Sequence, residues 1–569
     1  MHRSPWRTIT ALAAGLTLTA SAAVPAAASA GAGRHPDPST PVERTVAAMQ
    51  PGWNLGNTLD ALGDDETAWG NPHITRELLE SVSAQGFNSI RLPVTWGQHQ
   101  GGSPDYLVEP AFMDRVNEVV DWALDADLYV LLDVHHDSWI WLNQYPNNRD
   151  EVDAQYVALW EQIADRFADH PQTLLFESIN EPQFAGGVDS ATGDALLHEQ
   201  NVTFHEIVRS SGGNNADRVL VLPTLHTNDE QPRLDALAET IESLDDPNLV
   251  ATTHSYGYWP FSVNVAGGTR FDADAQQHLR DSFARLHETF VARGVPVIMG
   301  EYGLLGFDRH TGTIQQGEKL KFFEELGYLA RTSGVTTMLW DNGQHLDRTA
   351  LTWKDPDLYR YISTSWTVRS GVASTDQVFV RPADVVAQTI TLDPHGHQFT
   401  GLRAGKSQLN RNKDYTISGN ELTLSPALLQ RLLGSGEHGV RAELELRFSR
   451  GLPWRVEIIS ADTPVLQDAT GATDAFAVPT AFHGDRLATM EATYVDDGSN
   501  AGPHSWTPFK EFDAAFAPDT AAGQIILRPR FFDDVADQRP VELTFHFWSG
   551  DKLTYTIVRD GTTVTGTAT

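Results

Sequence analysis

Between residues 52 and 343 the chain repeats one pattern eight times: a short apolar run, then a longer segment with helical periodicity. The runs are GWNLGN (52–57), FNSIRLPV (87–94), LYVLLDVHH (128–136), TLLFESINE (173–181), RVLVLPTL (218–225), LVATTHSYG (249–257), PVIMGEYG (296–303) and VTTMLWDNG (335–343). A strand covered on both faces reads as a continuous apolar run, and parallel neighbours need a crossover, usually a helix. Segments such as RELLESVSAQG, FMDRVNEVVDWAL, YVALWEQIADRF and LKFFEELGYLARTSG supply those crossovers, the last ending at a glycine suited to a helix C-terminus. Eight units predict an α/β fold, a (β/α)8 TIM barrel spanning residues 43–372. A doubly wound open sheet is the competing architecture, but no G-x-G-x-x-G follows an early run.

Polar residues gather at one end of these runs. Arg91, His135, Asn180, Glu181, His254, Glu301 and Trp340 all sit at or just after the last apolar positions. In a barrel that end is the rim where active sites assemble. Two carboxyl groups facing one glycosidic bond are what sugar hydrolysis requires, one to protonate the leaving oxygen and one to attack or to activate water. Glu181 and Glu301, at the ends of runs four and seven, form the candidate pair. Glu177 lies four residues deeper and is expected to pair inside the barrel.

The segments FESINEP and VIMGEYG resemble the catalytic segments of glycoside hydrolase family 5. GWNLGNTLDA, AWGNP, IRLPVTW, LLDVHHD, HSYGYWPFSVNVAGG and LWDNG resemble its subfamily 4, in order, over roughly residues 45 to 365. The resemblance implies that Glu181 is the general acid/base, that Glu301 is the nucleophile and that anomeric configuration is retained. Arg91 suits holding Glu301 as an anion, Tyr256 would donate a hydrogen bond to the same carboxylate, and Asn180 would hold the sugar 2-hydroxyl. His135 and His254 match the family's substrate-orienting histidines, and His136 its additional sugar-contacting histidine. Ser255 stands where an aromatic often follows the histidine, and Tyr302 replaces a common phenylalanine.

Trp340 is expected to be a stacking platform for a β-linked glucose. Trp53, Asn57, Trp139, Trp141 and Trp259 lie in rim segments as candidates for outer subsites, with Asn57 and Trp139 taken as substrate-binding, whereas Trp122 and Trp160 fall inside helical patterns and are expected in the core. A metal on HHD is not expected, because neighbours on a strand point to opposite faces. No cofactor is expected.

After about residue 375 the texture changes to short alternating segments, such as DYTISGNELTLS, RAELELRFSRG and VELTFHFWSGDKLTYTIV. These predict two small β-sandwiches, residues 377–460 and 463–569. The first resembles an immunoglobulin-like module and the second carbohydrate-binding module family 46. Trp506, in the Gly/Pro/His-rich loop AGPHSWTPF, is expected to be exposed and to bind substrate, Trp548 to be core, and the terminal module to fold back and lengthen the cleft.

Residues 1–30 have the basic start, apolar stretch and small-residue end of an export signal, and 31–42 read as a flexible lead-in. The expected location is extracellular. There is no cysteine, so stability must come from packed cores. With 41 Lys plus Arg against 75 Asp plus Glu, the formal charge of −34 argues against nucleic acid and anionic membrane as partners. The expectation is a monomeric, secreted, retaining endo-β-1,4-glucanase acting on amorphous cellulose, mixed-linkage glucan and xyloglucan. The alternatives are a β-mannanase on the same barrel and a non-catalytic glucan-binding protein.

Overall fold

The computed structural model describes residues 38–569. The export-signal segment and the first part of the lead-in lie outside the described residues. Eight parallel strands close into a barrel in sequence order: β1 (Gly52–Asn54), β2 (Ser89–Leu92), β3 (Tyr129–Leu132), β4 (Leu174–Glu177), β5 (Leu220–Pro223), β6 (Leu249–Ser255), β7 (Val297–Tyr302) and β8 (Val335–Leu339). Strand β1 pairs with both β2 and β8, which leaves no edge. All eight apolar runs are strands, and nearly every strand residue is buried because helices cover the outside of the barrel.

The inside of the barrel is closed at its N-terminal end. Helix Pro41–Ala48 packs Val42 and Val46, with Met49, against Leu131, Leu175, Val219, Val221, Val250, Ile298 and Met338. Thr40 and Glu43 form a reciprocal capping box at its start. This helix therefore begins inside the segment read as lead-in; the Thr-Pro-Val-Glu spacing is a helix-start signal that a Gly/Pro-rich reading passes over. With the floor plugged, access is left to the opposite rim.

Two β-sandwiches follow. In the first, a four-stranded sheet (Val372–Ala373, Gln388–Asp393, Glu421–Leu424, Tyr415–Ser418) faces a five-stranded one built on Gly439–Phe448 and Trp454–Ser460. The second repeats the four-plus-five plan, with Val541–Phe547 and Lys552–Asp560 central to its larger sheet. The first sandwich shares a continuous apolar core with the barrel, while the second has its own. Fully buried Trp454 donates from Nε1 to Thr375 O (2.9 Å), and Tyr361 of the barrel donates to Pro453 O (3.2 Å).

The terminal sandwich contacts both other modules. Arg381 Nη2 donates to both carboxylate oxygens of Asp551 (2.6 and 2.8 Å), and Arg486 pairs with Glu457 (2.9 Å). On the barrel side, Asn264 O accepts from Phe512 N (3.2 Å), and Asn264 Nδ2 donates to Ala488 O (3.0 Å). Trp548 is not core: it lies half-buried under the Arg270 guanidinium of the barrel, 4.9 Å away. Alternation in a strand tells inside from outside, but not an outside that a neighbouring module covers.

Candidate active site

Arg91, at the end of β2, is the centre of the rim and is fully buried. It donates to Glu177 through two nitrogens (2.7 and 2.9 Å), to Asn180 Oδ1 (2.8 Å), to Glu301 Oε1 (2.8 Å) and to Asn54 Oδ1 (3.2 Å), and it lies 2.8 Å from Asp133. Glu177 is thus the buried partner of Arg91, as its depth in β4 suggests. A guanidinium has only donors, so the atom of Asn180 that meets it is the oxygen, which leaves the Asn180 amide hydrogens available as donors.

Glu301 is set by a bulge. The β6–β7 register runs Thr253 to Met299 and then His254 to Glu301, skipping Gly300. A Cβ on Gly300 would stand 2.9 Å from Thr252 Oγ1 and 3.2 Å from His254 Nε2, so only glycine fits at the turn that re-aims Glu301. Its Oε1 accepts from Arg91 and its Oε2 from Tyr256 (2.5 Å). Burial, then the neighbouring Glu301 charge, holds the Tyr256 hydroxyl well above the usual phenol range, so it stays a donor.

Glu181 comes off the end of β4 with φ of 38°, a left-handed conformation that costs a non-glycine residue about 1–3 kcal/mol and persists only when its surroundings impose it. Its neighbour Asn180 donates its backbone N–H to Val134 O (2.9 Å). Glu181 Oε1 lies 3.0 Å from His254 Nδ1, which lies 3.5 Å from Glu301 Oε2. One oxygen of each glutamate and a ring nitrogen of His254 fall within 4.8 Å of one another. The Glu181 side chain is 46% exposed, open to the cleft, whereas that of Glu301 is 5%.

Desolvation raises both carboxyls, Glu301 as an enclosed group and Glu181 as one that keeps a side open to the cleft. The donors divide them. Glu301 accepts from a cation and a phenol, while the polar side chain touching Glu181 is His254, whose pKa burial lowers to about 4 and which is therefore neutral. A shared proton belongs on Glu181, and the negative charge on Glu301.

His135 is buried, with Nδ1 on Asp133 Oδ2 (2.7 Å), and burial holds it neutral. It stacks on Trp340 (5.9 Å, 2° between planes). Trp340 is 9% exposed and lies over Gly56, where a Cβ would come within 2.6 Å of the indole, so it offers a narrower platform than the sequence suggests. His136 accepts from Trp139 Nε1 (3.0 Å) and is flanked by Trp139 and Trp69, 43% and 40% exposed. Asn57 has φ of 55° and donates its N–H to Asp60 (3.0 Å) beside this group.

Several expectations need correction. Trp53 is fully buried with Nε1 on Asp341 (3.1 Å), so it lines no subsite. Trp122 is only half-buried, with Arg76 and Arg115 over its ring, whereas Trp160 is core. The alternation argument about HHD fails, because β3 ends at Leu132 and the His135 and His136 rings lie 4.5 Å apart beyond it; with Asp60 they bring ligand-type atoms within 4.8 Å of one another. A third such cluster, Glu324, Glu325 and His395, is occupied by Arg369. Sequence reading missed Trp69, visible only as part of AWGNP, and the buried carboxylates Asp60 and Asp133. It also missed His226, which follows β5 and interacts electrostatically with Glu181.

Comparison with known proteins agrees in each module. The cellulase (glycosyl hydrolase family 5) profile matches residues 54–346, a carbohydrate binding domain X2 profile matches 372–458, and a family 46 carbohydrate binding domain profile matches 462–567. Endoglucanase B of Paenibacillus lautus is 50% identical over 535 residues, 93% of this chain and 94% of that protein. The tri-modular endo-β-1,4-glucanase B from Bacillus halodurans superposes with a TM-score of 0.91 at 48% identity, covering 93% of this chain and 100% of that one. A tri-modular endo-β-1,4-glucanase from Bacillus licheniformis, complexed with cellotetraose, gives 0.77 at 29% identity over 93% and 99%.

Proposed function

The chain belongs to glycosyl hydrolase family 5 as an endo-1,4-β-glucanase, and from that premise we propose that it cleaves internal β-1,4 bonds by double displacement at Glu181 and Glu301. The observation that carries the mechanism is the close, unequal pair of carboxyls: oxygens within 4.8 Å, one held by Arg91 and Tyr256, the other facing the cleft beside a neutral histidine. Retaining glycosidases hold their carboxyls about 5–5.5 Å apart, against about 6.5–9.5 Å where a water must fit between.

In the first half-reaction the Glu301 carboxylate attacks the anomeric carbon. The bond to the leaving sugar oxygen breaks, and Glu181 gives that oxygen its proton. In the second, Glu181 takes a proton from water as the water oxygen attacks the anomeric carbon, and the ester to Glu301 breaks. Two inversions return the original configuration. Asn180 donates to the 2-hydroxyl as charge grows at the anomeric carbon, and Trp340 with His135, His136 and Trp139 orients the sugars on one side of the scissile bond.

The substrates are amorphous cellulose, mixed-linkage glucan and xyloglucan; the cellotetraose bound to the Bacillus licheniformis relative supports a β-1,4-glucan over a mannan. A surface that continues onto the terminal module also favours a long chain. Trp506 is 60% exposed and reaches Trp259 of the barrel, 43% exposed, with ring centroids 6.1 Å apart, so two modules present one aromatic surface beside the cleft. Residues 1–30 make the enzyme an exported one, suited to polymers that cannot enter a cell. Among the described residues no helix is long and apolar enough to cross a membrane.

The test is a product profile on xyloglucan, mixed-linkage glucan, carboxymethyl cellulose and mannan, with Glu301→Gln as control. Oligosaccharides from the glucans, none from mannan and none from the variant are expected. Release from mannan at a comparable rate overturns the substrate, and an active variant overturns the mechanism.

A further inference from the structure

A fully buried lysine is tied to the loop that carries Trp506. Lys510 is 0% exposed, and its ammonium hydrogen-bonds to backbone carbonyls, with the Asp534 charge acting on it without a hydrogen bond between the two. Lysine is almost never buried unless paired, because removing an ammonium from water is costly. Its hydrogens instead go to two backbone carbonyls, Pro503 O (2.9 Å) and Thr507 O (3.1 Å). These are the two ends of the five-residue segment that carries Trp506. One ammonium therefore closes the base of the loop that carries the exposed indole.

The next residue faces the other way. Glu511 Oε1 accepts from Arg309 Nη1 (3.2 Å), on the short helix Leu305–Arg309 that follows β7, the strand of Glu301. Its Oε2 lies 2.9 Å from His504 Nε2, on the same loop. Phe512 N, one residue on, donates to Asn264 O of the barrel (3.2 Å). The His504 ring in turn lies 5.9 Å from Trp259 and 6.1 Å from Trp506. A stacking surface shared by two modules works only if both rings are held in register before the chain arrives, since ordering them on binding would consume the affinity they give.

We infer that Lys510 and Glu511 are positioning residues forming a two-sided staple, which holds the Pro503–Thr507 loop so that Trp506 stands beside Trp259 for a polymeric β-1,4-glucan. The inference rests on the reading of Trp506 as a substrate contact. It differs from an ordinary structural role in a measurable way. Lys510→Met removes an ammonium that is costly to bury and leaves two loop carbonyls without their donor, so it should release the loop while the module's separate apolar core keeps it folded.

The experiment measures KM and kcat of full-length wild type, Lys510→Met, Glu511→Gln, Trp506→Ala and Lys510→Met/Trp506→Ala. The substrates are soluble mixed-linkage glucan and an aryl β-cellobioside, with thermal unfolding of each chain. Lys510→Met and Glu511→Gln should each raise KM for the polymer by about two- to tenfold, with kcat on the aryl cellobioside within about twofold of wild type. Trp506→Ala should raise the polymer KM at least as much, and the double variant no further. If Trp506→Ala raises it and both staple variants leave it unchanged, the staple is refuted while the Trp506 reading stands. If Trp506→Ala has no effect, that reading fails and the staple with it. Equal loss of kcat on both substrates in the staple variants would make their role purely structural. Should Lys510→Met not fold, Glu511→Gln at the module boundary decides.

Discussion

The residue scale is where the chemistry conflicts with stability. Glu181 has its pKa raised by desolvation, which a general acid needs and which costs a little folding free energy, screened on the side open to the cleft. Below the unfolded pKa, near 4.5, both states hold the proton and the residue is neutral in the balance. As pH rises past that value the unfolded chain ionises first, and the folded state loses stability until the raised folded pKa is passed. Glu181→Gln should therefore unfold at a higher temperature than wild type at pH 7 and at the same temperature at pH 4. Its kcat/KM on polymer at pH 7 should fall by about 10²- to 10⁴-fold. An unfolding advantage that is equal at both pH values would show that the carboxyl is not desolvated. The roles of Glu181 and Glu301 came from resemblance and from their places at the ends of two runs. The donors that separate them, above all Tyr256 meeting Oε2 and neutral His254, appear only when β6 and β7 lie side by side.

At the scale of elements, the eight strands were legible because a doubly covered strand must be apolar throughout, so each run announces itself. What the pattern hid was local irregularity. Gly300 reads as an ordinary strand residue, yet its missing Cβ permits the bulge that turns Glu301 toward Arg91. Gly300→Ala should destabilise the barrel by about 1–3 kcal/mol through contacts with Thr252 and His254. It should lower kcat by about 10- to 100-fold through misaimed Glu301, as measured by denaturant titration and steady-state kinetics. Unchanged kcat would mean that Glu301 tolerates a shifted backbone. The rim tryptophans differ in the same way: Trp53 lies within β1 and points into the fold, while Trp139 lies on the short helix Asp137–Ile140 after β3 and is exposed. Sequence position near a strand end places the backbone at the rim without saying which way the side chain turns.

For the whole molecule, alternation and turn residues revealed two sandwiches, because each sheet has one face on a core and one towards solvent. The contacts between modules were not legible, since Trp548, Asn264 and Glu511 look like ordinary surface residues until another module is brought against them. The assembled chain offers a polymer a barrel rim, an aromatic pair contributed by two modules and, at the centre, two glutamates less than 5 Å apart. On the double-displacement reading proposed above, that closeness favours a covalent intermediate over a water held between the two carboxyls. The direct test is proton NMR of a cello-oligosaccharide digest in its first minutes, before the new reducing ends equilibrate. The β-anomer should form first and decay towards the mixture. The α-anomer forming first would contradict double displacement at Glu181 and Glu301.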